Sequence, residues 1–229
     1  MARRNAIIFW DIDGTLISLP NVSSIRHLES VELFTEKALI NCGSNLGKTD
    51  IGIIRDIFEF NEIKYQRGDL KKCLEILNHN SLNQIDREEY GIIPGVLKAL
   101  NFCNEKGVVN SVLTGNSKAR GVHKINLHNL ASKFDLQLSF FGDSHFRRVD
   151  LVKFAKNKCS QLGLGRIVLI GDTQIDVDSA KSNDVEIVAV ATGKDSFLKL
   201  SARKPNLLLR DFEKDFSLFQ TFIDELTND

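Results

Sequence analysis

Surplus charge of either sign is missing from this 229-residue chain, in which 30 Lys and Arg stand against 30 Asp and Glu. Nothing in that balance points to nucleic acid or an anionic membrane as a partner. Long apolar runs are missing too: none approaches the roughly 20 residues of a membrane-spanning helix. The opening MARRNAIIFWD reaches an acidic residue too soon for a signal peptide, so the expected address is cytoplasmic. Cysteine is scarce. Cys42, Cys73, Cys103 and Cys159 lie far apart, with no CxxC pair and no histidine at ligand spacing, which speaks against a zinc site or a disulfide framework. Each falls in a helix-like pattern and reads as a buried reduced thiol. The five histidines are scattered, and His123 and His128 are spaced wrongly for one helical face.

What remains is an ordinary globular composition, 42% hydrophobic and 26% charged. The length permits one large domain or a core with a smaller insertion. Short apolar runs read as strands at Ala6 to Trp10, Val108 to Leu113, Leu136 to Phe141, Ile167 to Ile170, Ile187 to Val190 and Leu207 to Leu209. Helical patterns alternate with them in the second half, which predicts a mostly parallel sheet flanked by helices. Phe212, Phe216, Phe219, Phe222, Ile223 and Leu226 give a final helix one apolar stripe that should pack on the sheet.

The stretch between the first strand and Pro94 breaks the alternation, because it is helical without a convincing strand. One stripe comprises Ile25, Leu28, Val31, Phe34, Ala38 and Leu39 and ends near Gly43; a second comprises Ile51, Ile54, Ile57 and Phe58; a third comprises Leu70, Cys73, Leu74 and Leu77. This predicts an inserted helical subdomain, with Asp86 to Gly95 as its return hinge.

In an open parallel sheet, ligands bind beyond the carboxyl ends of the strands. Three polar clusters stand there: Asp11-Ile12-Asp13-Gly14-Thr15, Thr114-Gly115-Asn116, and Gly171-Asp172-Thr173 with Asp176 one turn later. Each alone would be read as a helix cap or turn former. Their coincidence at three strand ends points to one crevice. Like charges about 4 Å apart at a dielectric near 20 repel by roughly 4 kcal/mol, so Asp11, Asp13 and Asp172 need a counter-charge. Oxygen-only ligands suit magnesium better than zinc. A nucleophilic carboxylate, a second carboxyl group and a metal fit phosphoryl transfer.

These three motifs resemble, in order and spacing, motifs I, II and IV of the haloacid dehalogenase superfamily. The segment from Leu16 to about Asp86 resembles the helical cap inserted after motif I. Gly47-Lys48-Thr49-Asp50 and Val188-Ala189-Val190-Ala191-Thr192-Gly193 resemble phosphoglycolate-phosphatase-like members. The resemblance implies an α/β fold, a Rossmann-like parallel sheet of residues 1–17 and 87–229 with an all-helical cap of residues 18–86. It also implies a magnesium-dependent phosphatase acting on a small phosphorylated metabolite. Asp11 would be nucleophile and metal ligand. Asp13 would exchange protons with the leaving alcohol and the water, and bind the metal through its carbonyl. Asp172 would complete the ligation, with Asp176 as a neighbouring or water-mediated partner. Thr114, Gly115 and Asn116 would hold the phosphate, while Lys48 and Thr49 would touch substrate from the cap unless Thr49 or Asp50 merely caps a helix.

The Lys-Pro of motif III is absent. Phe141-Gly142-Asp143-Ser144-His145-Phe146-Arg147-Arg148 stands in its region, so Arg148 is the expected substitute, with Arg147 or Lys153 as alternates. A dehalogenase usually lacks the second acid, so Asp13 argues against that branch. A phosphonatase would need a Schiff-base lysine, for which Lys48 is available. A phosphomutase would share every core residue, and a non-catalytic phosphate-binding module is the reading from another class. Trp10 should pack under the sheet rather than touch substrate.

Overall fold

The computed structural model describes residues 6–18, 25–43, 47–84 and 91–228. At its centre is strand β1 (Ala6–Trp10), whose apolar residues are all buried because both faces of the sheet are covered. Ala6, Ile8 and Trp10 point into one apolar cluster, and Ile7 and Phe9 into another, as the period of two demands. Each such Ile or Phe, fully buried, stabilises the fold by about 1.5–3 kcal/mol.

β1 pairs in parallel with β2 (Val109–Val112) on one side and β3 (Arg166–Gly171) on the other; β4 (Glu186–Val190) and β5 (Leu207–Leu209) continue the sheet in the order β2-β1-β3-β4-β5. Trp10 packs under the sheet as expected, against Phe212 and Phe219 at ring distances of 5.4 and 6.1 Å, and its indole N–H donates to Asn110 Oδ1 at 2.9 Å. Those phenylalanines belong to the expected final stripe, which forms α9 (Phe216–Asn228) and the turn before it.

Three expectations need correction. Leu136 to Phe141 is not a strand: Asp135 accepts from the N–H groups of Gln137 and Leu138, which winds Leu136–Leu138 into one 3₁₀ turn. Only a bridge from Phe140 to Leu113 remains beside β2. The first helical stripe ends early, since α1 (Ile25–Thr35) stops where Glu36 takes a left-handed φ of 54°. Ala38 is consequently exposed. Cys42 lies beyond that helix and is only partly buried, whereas Cys73, Cys103 and Cys159 are buried; all are free thiols.

Helices α1, α2 (Asp50–Phe60) and α3 (Arg67–Gln84) pack on one another around Val31, Ile54, Phe58, Cys73 and Leu77, a cluster apart from the two that sandwich the sheet. The chain leaves the sheet and returns side by side: Ile17 bridges Ile92 antiparallel, and Ser18 N–H donates to Gly91 O at 2.8 Å. The expected hinge at Asp86 to Gly95 is only partly visible, because residues 85–90 lie outside the described ones. The rest of the sheet is flanked by α4 (Val96–Glu105), α5 (Lys118–Leu127), α6 (Arg148–Gln161), α7 (Gln174–Lys181) and α8 (Phe197–Ala202).

Candidate active site

Because β1 lies between β2 and β3, the residues just past these three strands meet at one end of the sheet. Asp11, Asp172 and Asp176 are buried there, each offering an oxygen within 4.8 Å of the other two. The backbone leaves them little freedom. Gly14 turns the chain with a φ of 78°, and a Cβ at that position would lie 2.4 Å from Asp172 Oδ2; one at Gly193 would lie 1.6 Å from the same oxygen. The Thr192 hydroxyl donates to Gly14 O at 2.6 Å, and Thr15 Oγ1 donates to Asp172 Oδ1 at 3.3 Å. Asp176 is fixed by a capping box in which its Oδ2 accepts from Thr173 N–H and Oγ1.

Arg148, the first residue of α6, enters this acidic group. Its guanidinium lies 3.2 Å from Asp11 Oδ2 and 2.8 Å from Asp176 Oδ1, and donates to Leu113 O at 3.1 Å. Its side chain is 2% exposed, whereas that of Arg147 is 67% exposed and pairs with Asp150. Lys153 is exposed on the outer side of α6. Of the three candidates for the absent lysine, Arg148 is therefore the one among the acids.

Asp13 turns the other way. Lys124 Nζ lies 2.7 and 2.6 Å from its two oxygens, and Asn116 Nδ2 donates to Oδ2 at 2.7 Å. Asn116 Nδ2 also reaches Thr114 Oγ1 at 2.9 Å, which ties the Thr114–Asn116 loop to motif I. The start of α2 closes against that loop. Asp50 N–H donates to Gly115 O at 2.7 Å, and the Asp50 carboxylate accepts from Ser117 N–H at 2.7 Å, pairs with Arg120 at 2.6 Å and meets His27 Nε2 at 2.9 Å.

Thr49 is the N-cap of α2: its hydroxyl accepts from Gly52 N–H and donates to Phe146 O. Lys48 pairs with Asp56 and lines a cavity of about 430 Å³ with Arg55, Phe146, Arg148 and Ile175. Sequence reasoning missed Lys124, Arg120 and His27. The signal was available for two of them, since Arg120 and Lys124 stand four apart directly after Thr114-Gly115-Asn116 and so share a helical face.

A model of the family described as haloacid dehalogenase-like hydrolase matches residues 7–190. The chain belongs to this family. No curated protein is significantly similar in sequence. Similar solved structures include a HAD hydrolase, family IA, variant 3 from Entamoeba histolytica HM-1:IMSS, with 16% identity, a TM-score of 0.71, and 96% of this chain and 99% of that one covered. Another is described as a predicted phosphatase from Clostridium acetobutylicum (17%, TM-score 0.66, 96% and 99%). A third is described as a predicted phosphoglycolate phosphatase from Haemophilus somnus 129PT (18%, TM-score 0.60, 95% and 99%). At these identities they speak to the fold.

In this haloacid dehalogenase-like hydrolase the acid trio can hold a divalent metal. All its donors are oxygens, and the buried Asp172 Oδ2 has no hydrogen-bond partner among the described residues. Arg148 is the cation paired with the trio, through Asp11 and Asp176, so a divalent cation would offset the acid charge that this one guanidinium leaves. Among the described residues, no helix is long and apolar enough to cross a membrane.

The carboxyl groups divide accordingly. Burial raises Asp11 from 3.8 to about 6 against the pull of Arg148, with Asp176 and Asp13 adding to the rise. Asp172 is raised well above the ordinary range by burial and by Asp176 and Asp11. For Asp13, burial is outweighed by Lys124 and Asn116, so its carboxyl sits below the ordinary range; Asp50 is likewise lowered, by Arg120 and His27.

A raised folded-state value means that stability is present at low pH and lost as pH rises. For Asp11 the window runs from 3.8 to about 6 and corresponds to roughly 3 kcal/mol. Asp13 and Asp50 act with the opposite sign and below 3.8, so the windows do not overlap. The rise in melting temperature that saturating magnesium produces should therefore grow from about pH 4 to pH 6, a difference to which His27, lowered by burial and opposite in sign below 6.5, contributes alike with and without metal. A magnesium effect that does not change with pH over that range would contradict the crowding of these acids.

Proposed function

We propose that this hydrolase is a magnesium-dependent phosphatase that releases phosphate from a small monoester through an aspartyl-phosphate on Asp11. The observation that carries this reading is the Asp11 carboxylate held beside the Arg148 guanidinium and two further buried acids, Asp172 and Asp176, with Asp172 Oδ2 unpartnered among the described residues. Because Lys124 and Asn116 outweigh burial and hold the Asp13 carboxyl below the ordinary range, Asp13 has to take up a proton from solvent before the first step. Asp11 attacks phosphorus while Asp13 gives that proton to the departing alcohol oxygen as the P–O bond breaks. Asp13 then takes a proton from the water that attacks the phosphoryl group, which frees inorganic phosphate and restores Asp11. Thr114 and the N–H groups of Gly115 and Asn116 grip the phosphate oxygens, and Arg148 offsets their charge. Magnesium would be held by Asp11, Asp172 and the Asp13 carbonyl with Asp176 beside them, and would supply charge neutralisation for phosphoryl transfer.

Residues 18–86 serve as the cap over a core of residues 1–17 and 87–229, controlling access of water. Lys48 is the better candidate there for a substrate contact, since the Thr49 hydroxyl already has two partners. A phosphoglycolate-like ester or a sugar phosphate is the substrate class we favour, in a cytoplasmic setting. The test is a panel of small phosphate monoesters incubated with magnesium or with chelator. Phosphate release from at least one ester, lost on chelation, is the expected outcome. An isomerised sugar phosphate without net release would mark a phosphomutase, and no turnover of any ester would leave a phosphate-binding module.

A further inference from the structure

We propose that Lys124 is a positioning residue that sets the orientation of the Asp13 carboxylate for proton transfer to the leaving group. This rests on the role given to Asp13 above. The Lys124 side chain is 3% exposed, and three acceptors lie within 3.0 Å of its ammonium: both oxygens of Asp13 and Asn116 Oδ1. Asn116 closes the figure, because its Nδ2 donates to Asp13 Oδ2 at 2.7 Å. Lysine, asparagine and aspartate thus form a hydrogen-bonded ring that joins α5, the Thr114–Asn116 loop and the motif I turn.

The packing explains how the lysine gets there. Gly121, one turn before Lys124 on α5, lies so close to motif I that a Cβ would stand 3.0 Å from the Phe141 ring and 3.2 Å from Ile12 Cδ1. The missing side chain brings α5 down beside Asp13. An ammonium buried to this degree is costly unless it is paired, and here its pairing fixes both oxygens of a carboxylate that has left the acid trio.

Proton transfer demands such fixing. A general acid must bring its oxygen within about 2.6–3.2 Å of the departing atom, and a misplacement of about 1 Å can cost on the order of a hundredfold. The carboxylate hangs from a turn after a strand, and its hydrogen bonds among the described residues run to Lys124 and Asn116. The ring supplies the constraint, and it does so from a helix that bears no motif of its own.

The experiment compares kcat/KM for two esters in the presence of magnesium: 4-nitrophenyl phosphate, whose phenolate departs without a proton, and the alkyl phosphate that the wild type hydrolyses best. This ratio covers steps only through loss of the alcohol, so the later attack of water does not enter it. Lys124→Met should lower kcat/KM for the alkyl ester by on the order of a hundredfold and for the aryl ester by less than about tenfold. Lys124→Arg, which keeps a donor of like charge, should recover part of the alkyl activity. Equal losses on both esters, as a purely structural role would give, overturn the proposal, and so does no loss on either. Where Lys124→Met does not fold, Lys124→Gln, which removes the charge and shortens the reach to Asp13, takes its place and must show the same selective loss. Absence of wild-type turnover on both esters sinks the phosphatase reading itself, whereas an active wild type with an unchanged alkyl-to-aryl ratio in the variants sinks only the role of Lys124.

Discussion

Replacing Asp11 with Asn is expected to stop phosphate release, with a loss on the order of 10⁴-fold or more, the scale seen when a covalent nucleophile is removed. The substitution is close to isosteric. An amide can still accept the 2.8 Å bond from Ile12 N–H, and Arg148 keeps Asp176 and Leu113 O as partners. The melting temperature of Asp11→Asn should accordingly stay within a few degrees of wild type, so that lost turnover cannot be blamed on unfolding. Phosphate release and a thermal melt on the same preparation decide the matter. A variant that retains a rate within tenfold of wild type would take Asp11 out of the reaction.

The second large effect separates two adjacent arginines. Arg148→Met leaves Asp11 and Asp176 buried beside a thioether in place of a guanidinium, and breaking a buried pair from one side costs about 3–5 kcal/mol. Turnover should fall by about a hundredfold or more, the cost of removing a preorganised charge from the transition state. Arg147→Met should change neither quantity measurably, because Arg147 meets Asp150 in solvent. Denaturant unfolding with phosphate assays on both variants tests this. Equal behaviour of the pair would remove the distinction that burial draws between them.

Arg148 also illustrates how much of the molecule could be read from residues alone. The absence of Lys-Pro directed attention to the right stretch and to Arg148 first, and what separates it from Arg147 and Lys153 is the burial of its side chain at the start of α6. The parallel sheet, the helical insertion and the gathering of Asp11, Thr114 and Asp172 were legible because strand ends in such a sheet converge whatever the loops do. Leu136 to Phe141 misled because its apolar spacing suits a strand, while a single carboxylate at Asp135 wound it into a 3₁₀ turn. Lys124 and Arg120 escaped for a different reason: a cation on a helix after a motif is by default a solvated one. Their four-residue spacing after Asn116 puts them on one helical face, but their burial arises from tertiary closeness at Gly121 and from the seating of Asp50, which that spacing does not reveal.

The chain has a single tryptophan, and it is the residue immediately before the reactive carboxylate. Its indole is shielded from water, clamped by two phenyl rings and tethered to Asn110. Emission excited where the two tyrosines absorb little therefore comes from one indole at one address, a natural optical gauge whose signal carries no contribution from distant indoles when charge at the neighbouring carboxylate changes.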